Sequence, residues 1–295
     1  MNQINAQRKK TLITGAGGFL GSRIAQYYQR RYDCITPTHK ELEIRDAENC
    51  QQCLRFHSPD YVIHTAAISD TGVCEADPQL AYTVNVSGTE NLARACASVK
   101  CRLIFMSSDQ VYNGSHSMDK NRESDQLSPI NVYGKQKLEM EYRVLELLPD
   151  AAALRLSWMY DLPNLQMGTK ENFLTRILNA AAQDKEISFS NAEYRGITYV
   201  KEVVENLEKM FEVPGGVYNF GSYAKETTYI LAAKVFQMLG AVDKTKLLHQ
   251  LPHAFPRNLS MDQTLLNQHQ IYFSDNESGI QRLFLSKASL QSWKL

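Results

Sequence analysis

An excess of charge of either sign is missing. The chain has 32 Lys+Arg against 32 Asp+Glu, a net charge of zero. Without a basic surplus it lacks the electrostatic footprint of a nucleic-acid or anionic-membrane binder. No apolar run approaches the roughly 20 residues that a helix needs to cross a bilayer. The start, Met1–Lys10, is polar and holds no apolar core of signal-peptide length. These absences point to a cytoplasmic protein, with neither membrane nor nucleic acid among its partners. Cys50 and Cys53 form a C-x-x-C that no second pair and no His pair accompanies. The six cysteines, at 34, 50, 53, 74, 96 and 101, therefore read as free thiols of a reducing compartment, and no metal is expected. Internal repeats and low-complexity linkers are absent too. Hydrophobic residues make up 43%, an ordinary share that argues against disorder. The 295 residues suffice for one large α/β domain, or one domain with a smaller appendage.

What is present begins with Thr11-Leu12-Ile13-Thr14-Gly15-Ala16-Gly17-Gly18-Phe19-Leu20-Gly21. Apolar and β-branched residues run into a glycine cluster. Leu20, Ile24 and Tyr27/Tyr28 then recur at helical spacing through Gln29. This reads as strand, tight turn, helix. Gly15 permits the turn, and Gly18 lets backbone N–H groups approach a pyrophosphate. Gly21 lets the helix pack closely on its strand. Phe19 and Leu20, at the helix start, belong to the same expected cofactor site. Turns also collect glycine, but a G-x-x-G-x-x-G between a strand and a helix favours dinucleotide binding.

Asp33–Thr36 reads as a second strand closed by Pro37, Asp46–Phe56 as a helix and Tyr61–His64 as a third strand. Pro78–Val99 reads as one long helix, with Leu80, Val84, Leu92 and Ala95 on or near one face. Arg102–Met106 is an apolar strand, Asn113–Pro129 a polar loop, Ile130–Leu148 a helix and Ala152–Leu156 a strand. Strands alternating with helices predict an α/β fold with a parallel, doubly wound sheet, ligands lying at the carboxyl ends of its strands. After Trp158 the rhythm loosens. Asn172–Gln183, Lys201–Phe211 and Thr227–Leu239 look helical, Val217–Phe220 looks like a strand, and the tail from Leu251 shows little periodicity. The expected division is 1–160 plus 197–221 for a dinucleotide-binding domain, and 161–196 plus 222–295 for a substrate-capping domain.

Tyr133 and Lys137 stand four residues apart, on one face of a predicted helix. Ser108 falls at the carboxyl end of the Arg102–Met106 strand. A free tyrosine, with a pKa of about 10, is a poor proton shuttle near neutrality. A lysine ammonium nearby favours the phenolate; a shift of about three units takes roughly 4 kcal/mol of differential interaction. Such tuning suits a general acid acting on a carbonyl, with Ser108 hydrogen-bonded to the same oxygen. Among 15 tyrosines one such spacing arises by chance. Its company, the glycine turn and a hydroxyl-ended strand, makes chance a poor account.

Thr14–Gly21, His64-Thr65-Ala66-Ala67, Ser107-Ser108-Asp109 and Tyr133–Lys137 resemble the extended short-chain dehydrogenase/reductases. Within these the chain is most similar to the dTDP-4-dehydrorhamnose reductase group. The finer match rests on Glu41–Asp46, Ser108–Gly114, Glu123 to Asp125 followed by Pro129–Gly134, Arg155–Tyr160 and Arg257–Asp262. It spans nearly the whole chain and is specific to about residue 160. The resemblance implies a Rossmann-type domain with a smaller C-terminal capping domain for a nucleotide-linked sugar. It implies Ser108, Tyr133 and Lys137 as catalytic residues, Lys137 also holding the nicotinamide ribose. It puts Glu43 and Ile44 near the adenine, and Ala66 and Ala67 beside the cofactor. Ser69, Asp109, Gln110 and Trp158 would line the sugar pocket. Asn85 occupies the family's structural or proton-relay position.

The chain departs from the group at Ile68–Gly72 and at Gln110, where the group has a tyrosine. Related nucleotide-sugar dehydratases carry Asp-Glu where this chain has Asp109-Gln110. An amide cannot serve as their acid or base, which speaks against dehydration. The second strand ends Thr36-Pro37-Thr38-His39-Lys40 with no acid to bind ribose hydroxyls. His39 and Lys40 suit a 2′-phosphate, so NADP(H) is the expected cofactor and NAD(H) the alternative. The expected activity is reduction of a nucleotide-linked 4-keto-deoxysugar. The rivals are a dinucleotide-binding regulatory subunit without turnover and a sugar-nucleotide epimerase, and a homodimer is open.

Overall fold

The computed structural model describes residues 8–162, 171–252 and 255–286. Of the stretches read above, residues 1–7 of the polar start lie outside these, as do 163–170, 253–254 and 287–295 of the expected capping domain. The chain opens with β1 (Lys10–Thr14), α1 (Phe19–Tyr28), β2 (Asp33–Ile35), α2 (Ala47–His57) and β3 (Tyr61–His64). Next come α3 (Thr71–Ala76), α4 (Pro78–Tyr82), α5 (Thr89–Val99), β4 (Arg102–Ser108), α6 (Val132–Leu147), β5 (Ala152–Leu156) and β6 (Trp158–Tyr160). Then follow α7 (Phe173–Gln183), β7 (Ile187–Ser190), β8 (Glu193–Arg195), β9 (Ile197–Tyr199), α8 (Val200–Leu207) and β10 (Gly216–Phe220). The described chain closes with α9 (Thr228–Met238), β11 (Leu248–Leu251), β12 (Arg257–Leu259), α10 (Thr264–Gln268) and α11 (Asn276–Ser286).

Six strands form one sheet in the order β10-β5-β4-β3-β1-β2, and the pairings β1 to β2, β1 to β3 and β3 to β4 are parallel. Leu12, Ile13, Val62, Ile63, Leu103 and Ile104 are fully buried. Continuous apolar runs of this kind belong to a sheet covered on both faces. β1 has β2 on one side and β3 on the other, so the strand order reverses there. The carboxyl end of β1, which carries the glycine turn, is thus a topological switch point.

Local chemistry sets the helix starts. The Asp46 side chain accepts from Glu48 N (2.9 Å) and Asn49 N (3.1 Å) to open α2, and Asn131 accepts from Gly134 N (2.7 Å) to open α6. Asp70 and Asp77 cap α3 and α4. The expected single helix over Pro78–Val99 is instead α4 and α5 joined by a π-turn at Thr83–Gly88. The wider turn lets Asn85, fully buried, accept from Ile68 N (2.9 Å) and donate to Ile68 O (3.0 Å). The tail is more ordered than its sequence suggests, since β12, α10 and α11 fall in it.

The contacts divide the chain into two units. The first comprises residues 1–107, 131–154 and 207–217 and is built on the sheet, with Leu12, Leu54, Leu92, Phe105 and Val144 in its core. The second comprises 108–130, 155–206 and 218–295. It holds the parallel strand pairs β6 with β9, β7 with β11 and β8 with β12, around Tyr160, Leu174, Ile177, Leu231 and Phe236. Residues 108–130, read from the sequence with the nucleotide-binding half, group with the second unit. There Asn121 Nδ2 donates to the carbonyls of Asn258 (2.9 Å) and Ser260 (3.1 Å), and Tyr112 Oη to Asn219 Oδ1 (2.7 Å).

Among the described residues no helix is long and apolar enough to cross a membrane. Among them, too, no group of three or more His, Cys, Asp or Glu could hold a metal ion. Cys50 and Cys53 lie in α2, and burial pushes the Cys50 thiol up to about 12, far from a reactive thiolate.

Candidate active site

Gly15 sits at φ +66°, where only glycine is unstrained, and a Cβ on it would lie 2.7 Å from Ala66 N. Gly18 is the N-cap of α1, and its N–H donates to Gly15 O at 2.9 Å. A Cβ on Gly21 would lie 2.3 Å from Gly15 O and 2.7 Å from Thr65 Oγ1. The third glycine therefore serves the approach of α1 to the turn itself. Among the described residues a Cβ at Gly17 would meet nothing within 4 Å, and at Gly18 only Gly15 O, at 3.2 Å. Among the described residues, too, no side chain caps α1, and no acid lies in its first turn. A helix N-terminus left in this state, behind an open glycine backbone, fits a pyrophosphate.

The turn is braced from below. Thr65 Oγ1 donates to Thr14 O (2.7 Å), and Thr14 Oγ1 accepts from Thr65 N (3.2 Å) and Ala66 N (3.3 Å). The same Thr14 hydroxyl meets His64 Nδ1 at 2.7 Å, while His64 Nε2 meets Thr89 Oγ1 at 3.0 Å. Burial, with the Lys137 charge adding to it, holds His64 down at about 3, so the ring is neutral. Ala67 and Ser69, farther along the same loop, are exposed.

On α6, Tyr133 and Lys137 are both buried, and the ammonium stands 5.7 Å from the centre of the phenol ring. Lys137 Nζ donates to Met106 O at 2.7 Å. Burial pulls the ammonium down to about 8, against the raising field of Glu141. It stays mostly protonated at neutral pH. Tyr133 packs with Cys74 and Ala81. Sequence reasoning missed Glu141, whose carboxylate accepts from Ser107 Oγ. The available signal was its spacing, four residues beyond Lys137.

Beyond β2, His39 and Lys40 are exposed, as a 2′-phosphate site requires. His39 Nδ1 lies 3.3 Å from Glu43 Oε2. Glu43 takes a paired contact from Arg45 (2.9 and 2.6 Å), which holds its carboxyl down at about 2. Ile44 is buried beneath the π-turn, and a Cβ on Gly88 would lie 2.9 Å from it.

Ser108, Asp109, Gln110 and Trp158 all belong to the second unit. Ser108 Oγ accepts from Gln110 N (3.2 Å) and donates to Asp109 Oδ1 (3.2 Å). Asp109, 1% exposed, receives both Arg195 Nε and Nη2 at 2.8 Å. That guanidinium, bonded to Asp109 along its edge, lays a face on Trp158, 4.0 Å from the ring centre. Trp158 is 41% exposed. The group is thus a buried ion pair carrying an open indole, with Ser108 and Gln110 (7% exposed) beside Asp109. Arg195 was not foreseen, because its partner is 86 residues away and no local pattern marks it.

Residues 9–266 match the family model described as the RmlD substrate binding domain. The dTDP-4-dehydrorhamnose reductase of Mycobacterium tuberculosis is 32% identical over 255 residues, covering 84% of this chain and 81% of that protein. The methionine adenosyltransferase 2 subunit beta of Xenopus laevis is 29% identical over 247 residues, covering 78% and 72%. A crystal structure of dTDP-4-dehydrorhamnose reductase from Bacillus anthracis in complex with NADP is 25% identical, with a TM-score of 0.84 over 96% of this chain and all of that one.

Proposed function

We propose, for a chain that belongs to the family of the RmlD substrate binding domain, an NADP(H)-preferring reduction of a nucleotide-linked 4-keto-deoxysugar. The observation that carries the reading is the buried Lys137 ammonium one helical turn from Tyr133. The named activity of the mycobacterial relative and the NADP in the Bacillus structure support it.

The open backbone of Gly17 and Gly18, and the start of α1 at Phe19, Leu20 and Gly21, would hold the pyrophosphate. His39 and Lys40 would meet the 2′-phosphate, and Lys137 the nicotinamide ribose. Bound NADPH supplies the hydride. Tyr133 gives its proton to the carbonyl oxygen, and the Lys137 charge favours the phenolate left behind. Ser108 turns its hydroxyl hydrogen from Asp109 to the same oxygen and orients it. Trp158 offers an indole face to the sugar, and Asp109 and Arg195 hold that face in place. On this reading the first unit binds the dinucleotide and the second the sugar nucleotide, in the cytoplasm, as a monomer or a homodimer.

The experiment is NADPH oxidation with a panel of nucleotide-linked 4-keto sugars. Tyr133→Phe keeps the ring and its packing and removes the proton. Turnover should fall by about 10²-fold or more, with NADPH affinity nearly intact. Wild-type turnover in Tyr133→Phe would refute the mechanism. A second reading has one observation in its favour, the similarity to the Xenopus subunit beta. In it the chain binds the dinucleotide and serves as a regulatory subunit. A wild type that binds NADPH, reduces no member of the panel and retains a stable protein partner on pull-down would put that reading first.

A further inference from the structure

Glu141 has no part in the reading above. Yet it is 2% exposed and follows Tyr133 and Lys137 on the same helix face, again four residues on. A carboxylate this deep is costly unless it is paired or hydrogen-bonded. The end of β4 supplies what it needs. Met106 O accepts from Lys137 Nζ at 2.7 Å, and the next residue, Ser107, donates its hydroxyl to Glu141 Oε1. Consecutive strand residues therefore fasten consecutive turns of α6, the first holding the ammonium and the second the carboxylate.

Among the described residues four titratable groups face Lys137: Tyr133 and Glu141 on its own helix, Cys74 on α3 and His64 on β3. His64 is neutral, and burial keeps the Cys74 thiol protonated. Glu141 is the anion of the set.

We propose that Glu141 is a positioning residue, which keeps Lys137 charged and seated on β4 so that it can serve Tyr133 and the cofactor ribose. The inference deepens the reductase reading and rests on it for the link to turnover. Burial alone drives the Lys137 ammonium toward its neutral form, and the Glu141 field opposes that.

The test is lysine-selective ¹³C NMR of the full chain without cofactor, the Lys137 signal being the one that disappears in Lys137→Met. In wild type it should titrate near pH 8. Glu141→Gln leaves Ser107 an acceptor and removes the charge, and the midpoint should fall by about one unit. Glu141→Met fills the same space without a polar group. It should give the same fall, and it serves if the Gln variant does not fold. NADPH affinity at pH 8 should drop about fivefold in either variant, the ratio of charged fractions for a one-unit shift. At pH 6, where Lys137 is recharged, the loss should vanish. An unmoved midpoint overturns the proposal. So does an affinity loss that persists at pH 6, the mark of a merely structural residue. A midpoint that falls in a protein unable to bind NADPH at all would support Glu141's role and sink the reductase reading alone.

Discussion

Acid should unfasten the glycine turn through His64. The neutral ring has one donor and one acceptor. Thr89 Oγ1 donates to Asn85 O at 2.8 Å and so accepts from His64 Nε2, which leaves Nδ1 to accept from the Thr14 hydroxyl. A second proton would place N–H against that hydroxyl and add a buried charge facing Lys137. The folded chain resists it down to about pH 3, whereas the unfolded chain takes it at 6.5. The folded value is the lower one, so this contribution is fully present above about pH 6.5 and is lost as the pH falls toward 3. At about 1.36 kcal/mol per pH unit, the loss is roughly 2 kcal/mol by pH 5. His64→Gln offers an amide to the same two threonines and cannot titrate. Urea unfolding at pH 7.5, 6 and 5 measures both proteins. Wild type should be the more stable at pH 7.5, and the gap should close by about 2 kcal/mol by pH 5. Parallel curves would refute the reasoning.

Gly18→Val and Gly21→Ala should separate binding from folding. The first should lose NADPH at a small cost in melting temperature, because among the described residues its Cβ comes within 4 Å of Gly15 O alone, at 3.2 Å. The second drives a Cβ to 2.3 Å from backbone and should cost about 1–3 kcal/mol of stability. Equal behaviour in melting and calorimetric titration would rule out the division of roles. His39→Ala with Lys40→Ala should weaken NADPH by about 1.5–3 kcal/mol while sparing NADH. Equal losses for the two cofactors would make the pair a bystander.

Much of the first unit was legible because its signals are local. A strand running into Gly15, Gly18 and Gly21 carries its own turn chemistry, and Tyr133 and Lys137 share a face by helical arithmetic alone. Asp46 and Asn131 announce the helices they cap. The π-turn at Thr83–Gly88 was not legible, since apolar spacing keeps its rhythm on both sides of a single widened turn. Helix α3 is too short for periodicity to register and depends on the Asp70 cap. In the second unit the decisive pairings join distant segments, as Asp109 with Arg195 and Asn121 with Ser260 do. Nothing in either neighbourhood names its partner.

The chain passes between its units at 107/108, 130/131, 154/155, 206/207 and 217/218, so no single cut can release either one. Synthesis meets the same interleaving. The sheet's first strand begins at Lys10 and its edge strand β10 at Gly216. At about 5–20 residues per second, some 10–40 s separate their emergence from a ribosome. Until β10 arrives, β5 is an edge strand, and its residues Ala152–Leu156, all buried in the finished fold, have an open row of backbone donors and acceptors. A message that stops short of residue 216 would leave that edge unpaired, a template for aggregation that chaperones must cover.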